Sequence, residues 1–382
     1  GGVTMFYSSP NATRPTLIEI HTADIHFGVM DPKVQYDLIT KGITDKIRDI
    51  QFDLFCINGD LFEHKFMSNS DVVLYASLFI KDIVELCKKN NAAFILLHGT
   101  PSHDANQLKL FYHYLSEPGL EMYIIETASF VETHGKRILC LPEERNKGTY
   151  YYRKVLEYSG HYDSVCMHGN LKGAIIGCES ADLNDKDKAP TFDIDSFEFC
   201  KGPIISGHVH VSGCFQQHMY YSGSPLRWKF GEEQAKGFLI VIHDLDSSFY
   251  TVQFEHVESF VYNTINLDDM VDYDPKRIIE YLSNLKATGV DYVKVRFTKS
   301  GSAIAPIKAY YRLNNEVIID ASDVQFQETV KKNQETIEKY AEYSFITDEN
   351  ATPNDIIVKY INHEKGCEYI SVDELIKMLS VD

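Results

Sequence analysis

The sequence predicts a layered α/β fold, and three observations carry that reading. Between Leu17 and about Glu255, short apolar runs of strand length alternate with longer stretches whose apolar residues recur every three or four positions. Five of the apolar runs end in Asp or His, and in α/β proteins the loops at the carboxyl ends of strands form the crevice that binds ligands. The 382-residue chain is 44% hydrophobic and 24% charged, an ordinary globular composition with enough length for a large core and two or three domains.

Residues 1–16 are polar and rich in Gly and Pro and read as a tail or an expression remnant outside the fold. The stretch LIEIHTADIHFG from Leu17 to Gly28 then reads as a buried strand giving way to Asp24-x-His26. Side chains two apart on an extended chain point the same way, so this carboxylate and imidazole can converge on one ion. Lys33 to Ile50 has helical period, with Val34, Leu38, Ile39, Ile43 and Ile47 on one stripe. The strand Asp53 to Asn58 runs into Gly59-Asp60, and Asp71 to Lys89 is a second amphipathic helix. Ala92 to Gly99 is a strand that leads to Ser102-His103-Asp104, and Tyr162 to Asn170 is another that carries His168 at its end. A polar stretch, Cys178 to Asp193, reads as a surface loop, and Gly202 to His210 is a strand that ends in His208 and His210. Short strands after Val211, including Phe238 to His243, suggest a second sheet.

Around Glu258 the character changes to strand, helix, strand and strand, a small α+β unit. Beyond about Gln325 the chain reads as acidic helices. Thr352 is a good N-cap with Pro353 at the first helical position, and Ser371 to Glu374 forms a capping box. The expected divisions are therefore 17–256, 257–324 and 325–382.

Net charge is −18, and residues 315–382, with 15 acidic and 6 basic residues, account for −9 of it. Such acidity opposes unassisted binding to a phosphate backbone, although bound divalent cations would lower the negative charge of the remaining body. No apolar run approaches the roughly 18 residues that span a bilayer, and no secretory signal is recognisable, so no membrane association is expected. The eight cysteines contain no C-x-x-C pair, and Cys56, Cys140 and Cys166 sit inside apolar runs as small buried hydrophobes. A reducing, cytoplasmic setting is the expectation.

The chemistry-bearing set is Asp24 and His26, Asp60, His103 and Asp104, His168, and His208 and His210. Parallel strands would bring these residues to one edge although they span the chain from 24 to 210. Two aspartates and several imidazoles in one crevice suit two divalent ions with a bridging carboxylate, which can polarise a phosphodiester and acidify a bound water.

In order and context these motifs resemble the calcineurin-like metallophosphoesterase superfamily, whose pattern is D-x-H, G-D, G-N-H-D, H and G-H-x-H. More narrowly, GDLFEHKFMSN from Gly59 and YSGSPLRWKFGEEQAKGFLIV from Tyr221 to Val241 are similar to the SbcD nuclease family. The resemblance covers about residues 17–243. It implies a β-sandwich flanked by helices, a small α+β DNA-capping domain and carboxyl-terminal helices that dock on a partner. It further implies a nuclease dependent on two divalent ions, most often Mn²⁺, acting as an exonuclease on duplex DNA ends and an endonuclease on single strands. The implied partner is an SbcC-type ABC ATPase with a long coiled coil, and a homodimer of the nuclease would make the assembly a heterotetramer in the cytoplasm.

By the same resemblance, Asp24, His26, Asp60 and His210 hold the first metal and Asp60, His168 and His208 the second. His103 serves the transition state or leaving group, and Asp104 orients it. One departure stands out: the G-N-H-D motif is here GTPSHD, so the asparagine that ligates the second metal is missing. Anchored on His-Asp, Ser102 takes its place, with water, Asn170 or Asn106 as substitutes. Arg227, Trp228 and Lys229 read either as DNA contacts or as a surface turn. The departure and the modest length fit a phage-encoded member, which would act in the host cytoplasm. Two other readings stay open, a stand-alone nucleotide phosphodiesterase or phosphatase and a non-catalytic scaffold.

Overall fold

In a computed structural model, which describes residues 16–172, 189–216, 218–247, 249–266, 275–296 and 317–320, the expected alternation of strands and helices is present. The chain begins with β1 (Thr16–Thr22), α1 (Pro32–Ile39), a π turn (Thr40–Thr44), α2 (Asp45–Ile47), β2 (Leu54–Asn58), α3 (Asp71–Asn90) and β3 (Ala93–Leu97). After a 3-10 stretch (Gln107–Ser116) come β4 (Glu121–Ile125), β5 (Ser129–Thr133), β6 (Lys136–Leu141), α4 (Thr149–Tyr158), β7 (Ser164–His168) and β8 (Asn170–Leu171). Then follow β9 (Thr191–Phe192), β10 (Ile204–Gly207), β11 (Gly213–Gln216), β12 (Met219–Tyr221), β13 (Gly237–Asp244) and β14 (Tyr250–His256). The last described elements are β15 (Tyr262–Asn266), α5 (Pro275–Ala287), β16 (Tyr292–Arg296) and β17 (Val317–Asp320).

Two six-stranded mixed sheets dominate, in the orders β14-β13-β1-β2-β3-β4 and β11-β12-β10-β7-β6-β5. Strands β1 to β4 are mutually parallel, as are β6, β7, β10 and β12. Phe238 to His243, expected in a second sheet, instead pairs antiparallel with β1 in the first sheet, with Ile240 opposite Ile20. The short strands β11 and β12 do join the second sheet.

The period of two along each strand decides the layering. On β2, Phe55 and Ile57 join the helices in one core with Ile20, Phe79, Ile80 and Phe94. Leu54 and Cys56 point the other way and meet Ile138, Cys140 and Cys166 of the second sheet. The far face of that sheet packs Leu139, Val165 and Met167 against Tyr152 and Leu156 of α4. The order of layers is thus helix, sheet, sheet, helix. Each large side chain fully buried this way contributes roughly 1.5–3 kcal/mol relative to exposure.

Side-chain caps set the starts of α1 and α3. Asp31 Oδ1 accepts from the Val34 N–H at 3.0 Å with Pro32 at the first turn, and Ser70 Oγ caps α3 through the Val73 N–H at 3.3 Å. Left-handed Asn91 stops α3, its N–H bonded to the Cys87 and Lys88 carbonyls. The continuous helix expected over Lys33–Ile50 is interrupted by the π turn. Gly42 lies inside that turn, and a Cβ there would collide with Val257, so only glycine lets that side chain from beyond β14 approach so closely.

Contacts divide the chain into two units. One runs to Thr264 and takes in Ser283–Val293, and the other comprises Ile265–Leu282 and the chain from Lys294. The expected α+β segment shows its helix α5 and a three-stranded sheet in the order β15-β16-β17. The polar loop is described only from residue 189; of the expected tail Thr16 opens β1, and residues 1–15 and the carboxyl-terminal helix pair lie outside the described residues.

Candidate metal centre

The carboxyl ends of β1, β2, β3, β6, β7 and β10 meet, and the five expected motifs come together there on the edges of two sheets rather than one. Asp60 is the hub. Its Oδ2 lies 3.3 Å from His168 Nε2 and 3.7 Å from His26 Nε2, while Oδ1 accepts the Thr100 N–H at 2.6 Å. Around it, three sets bring donor atoms within 4.8 Å of one another: Asp24, His26 and His210; Asp24, Asp60 and His168; and Glu143, His168 and His208. Sharing Asp24 and His168 makes these sets one continuous cleft.

Local backbone geometry explains how strand ends turn their side chains inward. Asp24, His26, Asp60 and His208 all have left-handed φ, between 50° and 83°, which costs a non-glycine residue on the order of 1 kcal/mol or more. Hydrogen bonds across the cleft hold them there: Asp24 N–H to Gly59 O at 3.1 Å, His26 N–H to Asp60 O at 3.0 Å, and His208 N–H to Asp24 Oδ1 at 2.9 Å. Gly59 and Gly99 are required by close approach. A Cβ on Gly59 would strike the His168 ring, and one on Gly99 would strike Asp60.

The imidazoles are poised as ligands. His168 Nδ1 donates to the Asn58 carbonyl at 2.8 Å, which leaves Nε2 facing Asp60. His210 Nδ1 meets Glu232 Oε1 at 3.1 Å, and His26 Nδ1 lies 2.8 Å from Glu63 Oε2. A histidine whose other nitrogen is held by a carboxylate or carbonyl is the usual arrangement in metal sites. Asp24 Oδ2 and His26 Nε2 are buried without a hydrogen-bond partner, as groups awaiting a cation would be.

The electrostatics of the protein without metal agree. Burial opposes ionisation of Asp60, yet His168, His26 and His103 hold its carboxyl well below the usual range. Burial also disfavours a charged His168, but Asp60, Asp24 and Glu143 outweigh it and raise the ring to about 10. Burial and the neighbouring His168 push His208 down to about 4. A dry cleft with this surplus of carboxylate around neutral-capable imidazoles fits divalent cations.

Three expectations at the cleft change. Ser102 is exposed on the turn, whereas Thr100 is buried, with Oγ1 3.3 Å from Asp60 Oδ2, 3.3 Å from His168 Nε2 and 3.4 Å from Glu143 Oε2. Thr100, next to Gly99, is therefore the hydroxyl that faces the ligand sets, and Pro101 and Ser102 lie on the turn ahead of His103. Asn106 is exposed, and Asn170 lies in β8 with its N–H on the Pro190 carbonyl. Asp104 does not orient His103: its carboxylate accepts backbone N–H groups of Gly99, Leu61, Phe62 and Asp60 at 2.7–3.2 Å and so pins two cleft loops together. His103 is held by the Glu63 carbonyl on its Nδ1, with its ring centroid 4.8 Å from that of His26.

Of the GSPLRWKF loop, Trp228 walls the cleft, its ring 5.2 Å from His26 and 4.9 Å from His210 between centroids. Arg227 is spent on its own loop, donating to the Gln234 and Glu233 carbonyls at 3.1 and 3.3 Å. Lys229 is half-buried. Glu63, Thr100, Glu143 and Glu232 complete the cleft and were not singled out in the sequence. Glu143 follows the apolar run ILCLP, so the rule that found the other motifs, an acidic residue ending a strand, also reaches it.

No family model and no curated protein matches this chain. Among solved structures, one crystal structure aligns over 63% of this chain and 99% of its own at 11% identity and a TM-score of 0.37, a likeness that carries no argument. Fold and site on their own define a mixed α/β protein with buried His, Asp and Glu clusters able to hold metal ions. Among the described residues no helix is long and apolar enough to cross a membrane.

Proposed function

We propose that this chain is a two-metal phosphodiesterase of the calcineurin-like type that cleaves DNA, with Mn²⁺ as its metal and an SbcC-like ABC ATPase as its partner. The observation that carries the reading is Asp60, whose single oxygen Oδ2 stands between His26 on one side and His168 on the other. A carboxylate so placed suits a bridge between two ions, one among Asp24, His26 and His210 and one among Glu143, His168 and His208. Two such ions supply Lewis-acid polarisation of a phosphodiester and an acidified water when bound.

The chain's own groups do the rest. His103 is half-buried at the mouth with Nδ1 on the Glu63 carbonyl, so its Nε2 is the nitrogen free to hold a proton for a departing oxygen. Trp228 offers a flat face beside His26 and His210 on which a base or sugar can rest. Asp104 keeps the loops of Asp60 and Gly99 in register, so neither ligand set loosens independently. The homodimer, the partner ATPase and the capping role of residues 257–324 are parts of the same proposal and rest on the motif resemblance.

A digestion assay tests it: linear duplex and single-stranded DNA with Mn²⁺ or Mg²⁺, with and without the candidate ATPase. Cleavage by the wild type is expected with Mn²⁺, and His103→Ala should lose it by about 10²-fold or more while retaining bound metal. Hydrolysis of small nucleotide diesters without any DNA cleavage would transfer the reading to a stand-alone phosphodiesterase. Metal bound with neither activity would make the chain a scaffold.

A further inference from the structure

A second cluster of ligand atoms lies behind the cleft, in the seam between the two sheets. His21 of β1, Cys56 of β2 and Cys166 of β7 bring one donor atom each within 4.8 Å of one another, and all three are at most 1% exposed. From these residues we propose a structural site for one thiophilic divalent cation of the zinc class, held by the Cys56 and Cys166 thiolates and the His21 imidazole. It is separate from the cleft and does not depend on the cleft's activity.

Three features support the assignment. The two sulfurs are 3.8 Å apart, the separation of about 3.8 Å that two Zn–S bonds of about 2.3 Å subtend at a tetrahedral ion. His21 Nε2 lies 3.2 Å from Glu19 Oε2, so a buried carboxylate fixes the ring as it does behind metal-bound histidines. On the other side, Asn58 Nδ2 lies 3.3 Å from His21 Nδ1, and the Oδ1 of the same amide is buried without a hydrogen-bond partner. Charge closes as well: binding releases two thiol protons to solvent, and two thiolates neutralise one divalent ion in a seam that could not keep an uncompensated charge. Asn58 also ties the two regions together, since its carbonyl accepts from His168 Nδ1 at 2.8 Å.

Cobalt provides the test because only thiolate ligation gives a sulfur-to-cobalt charge-transfer band in the near ultraviolet, and the cleft offers only nitrogen and oxygen. The full chain is loaded with Co²⁺ during growth, and separately by refolding with Co²⁺, then treated with EDTA to empty the cleft. One equivalent of cobalt and the charge-transfer band are expected to remain. Cys56→Ser and Cys166→Ser should each lose both, while Cys140→Ser, which alters a neighbouring seam thiol outside the donor set, should keep them. A wild type that shows no band under either loading overturns the proposal whether or not the serine variants fold. So does a band that survives in the folded Cys56→Ser and Cys166→Ser proteins.

Discussion

The cleft and the seam are built from the same strands but select opposite chemistry. Strand β1 contributes Glu19 and His21 to the seam and then Asp24 and His26 to the cleft; β2 gives Cys56 and then Asp60; β7 gives Cys166 and then His168. In the seam the residues stay in regular strands and present sulfur, nitrogen and a carboxylate already engaged by Lys136 at 3.3 Å and His243 at 3.1 Å. In the cleft the backbone swings into left-handed turns and presents oxygen and nitrogen with unpartnered atoms. The comparison teaches that a donor's function here depends on where its strand ends. Inside the ladder the donors are sulfur and an imidazole fixed by regular strand neighbours, and past its end the turns present carboxylate oxygen and imidazole nitrogen.

Four changes sharpen or break that contrast. The largest effect is expected for Asp60→Asn, which removes the shared charge: cleft metal and catalysis should fall together by several kcal/mol, about 10⁴-fold in rate, with the fold retained by circular dichroism. Wild-type turnover in that variant would end the bridging role. Glu19→Gln should instead cost about 3 kcal/mol of stability, because it removes the buried charge that half-buried Lys136 pairs with, and leaves the cleft intact in the molecules that fold.

The acid side of the stability curve checks the same residue. Burial alone would raise Glu19, but Lys136, His21 and His243 hold it well below the usual carboxylate range. A folded-state pKa below the unfolded one means stability that is present above about pH 4.5 and is lost as pH falls through the folded value. Acid unfolding of wild type should therefore be steeper than that of Glu19→Gln, measured by denaturant titration between about pH 6 and about pH 3.

Glu232→Gln gives a smaller effect. Glu232 accepts from His210 Nδ1 and sits 3.6 Å from the buried Lys236, whose Nζ also holds the His210 carbonyl at 2.9 Å. Losing that charge should weaken metal affinity on the His210 side roughly tenfold, read by competition with a chelator. Smallest of all, Thr100→Asn should hold or raise metal affinity and activity by a few-fold, because an amide oxygen is a better ligand than a hydroxyl, whereas Ser102→Asn on the exposed turn should change neither.

The outcome for Thr100 and Ser102 shows where sequence reading stops. Strand β3 and the His103-Asp104 pair were legible, yet which residue of the loop faces the cleft depends on Thr100 binding Asp60 and on Asp104 binding the backbone of Leu61 and Phe62, contacts between segments far apart in the chain. Helix α3 was legible to within a residue because its caps and apolar stripe are local. The close approach of Val257 to Gly42 inside the π turn was not, because it joins residues far apart in the chain. Arg227 and Trp228 are adjacent, and only packing turned one toward its own loop and the other toward His26.

By itself the sequence determined the α/β class, the strands that end in Asp and His, and the identities of Asp24, His26, Asp60, His168, His208 and His210, since periodicity and strand-end position are local properties. Tertiary structure alone decided that two sheets share the site, that Glu63, Thr100, Glu143 and Glu232 belong to it, and that His21, Cys56 and Cys166 meet behind it. The reason is physical: alternation along a strand tells which face a residue occupies, but what lies across that face is set by the packing of a sheet formed elsewhere in the chain.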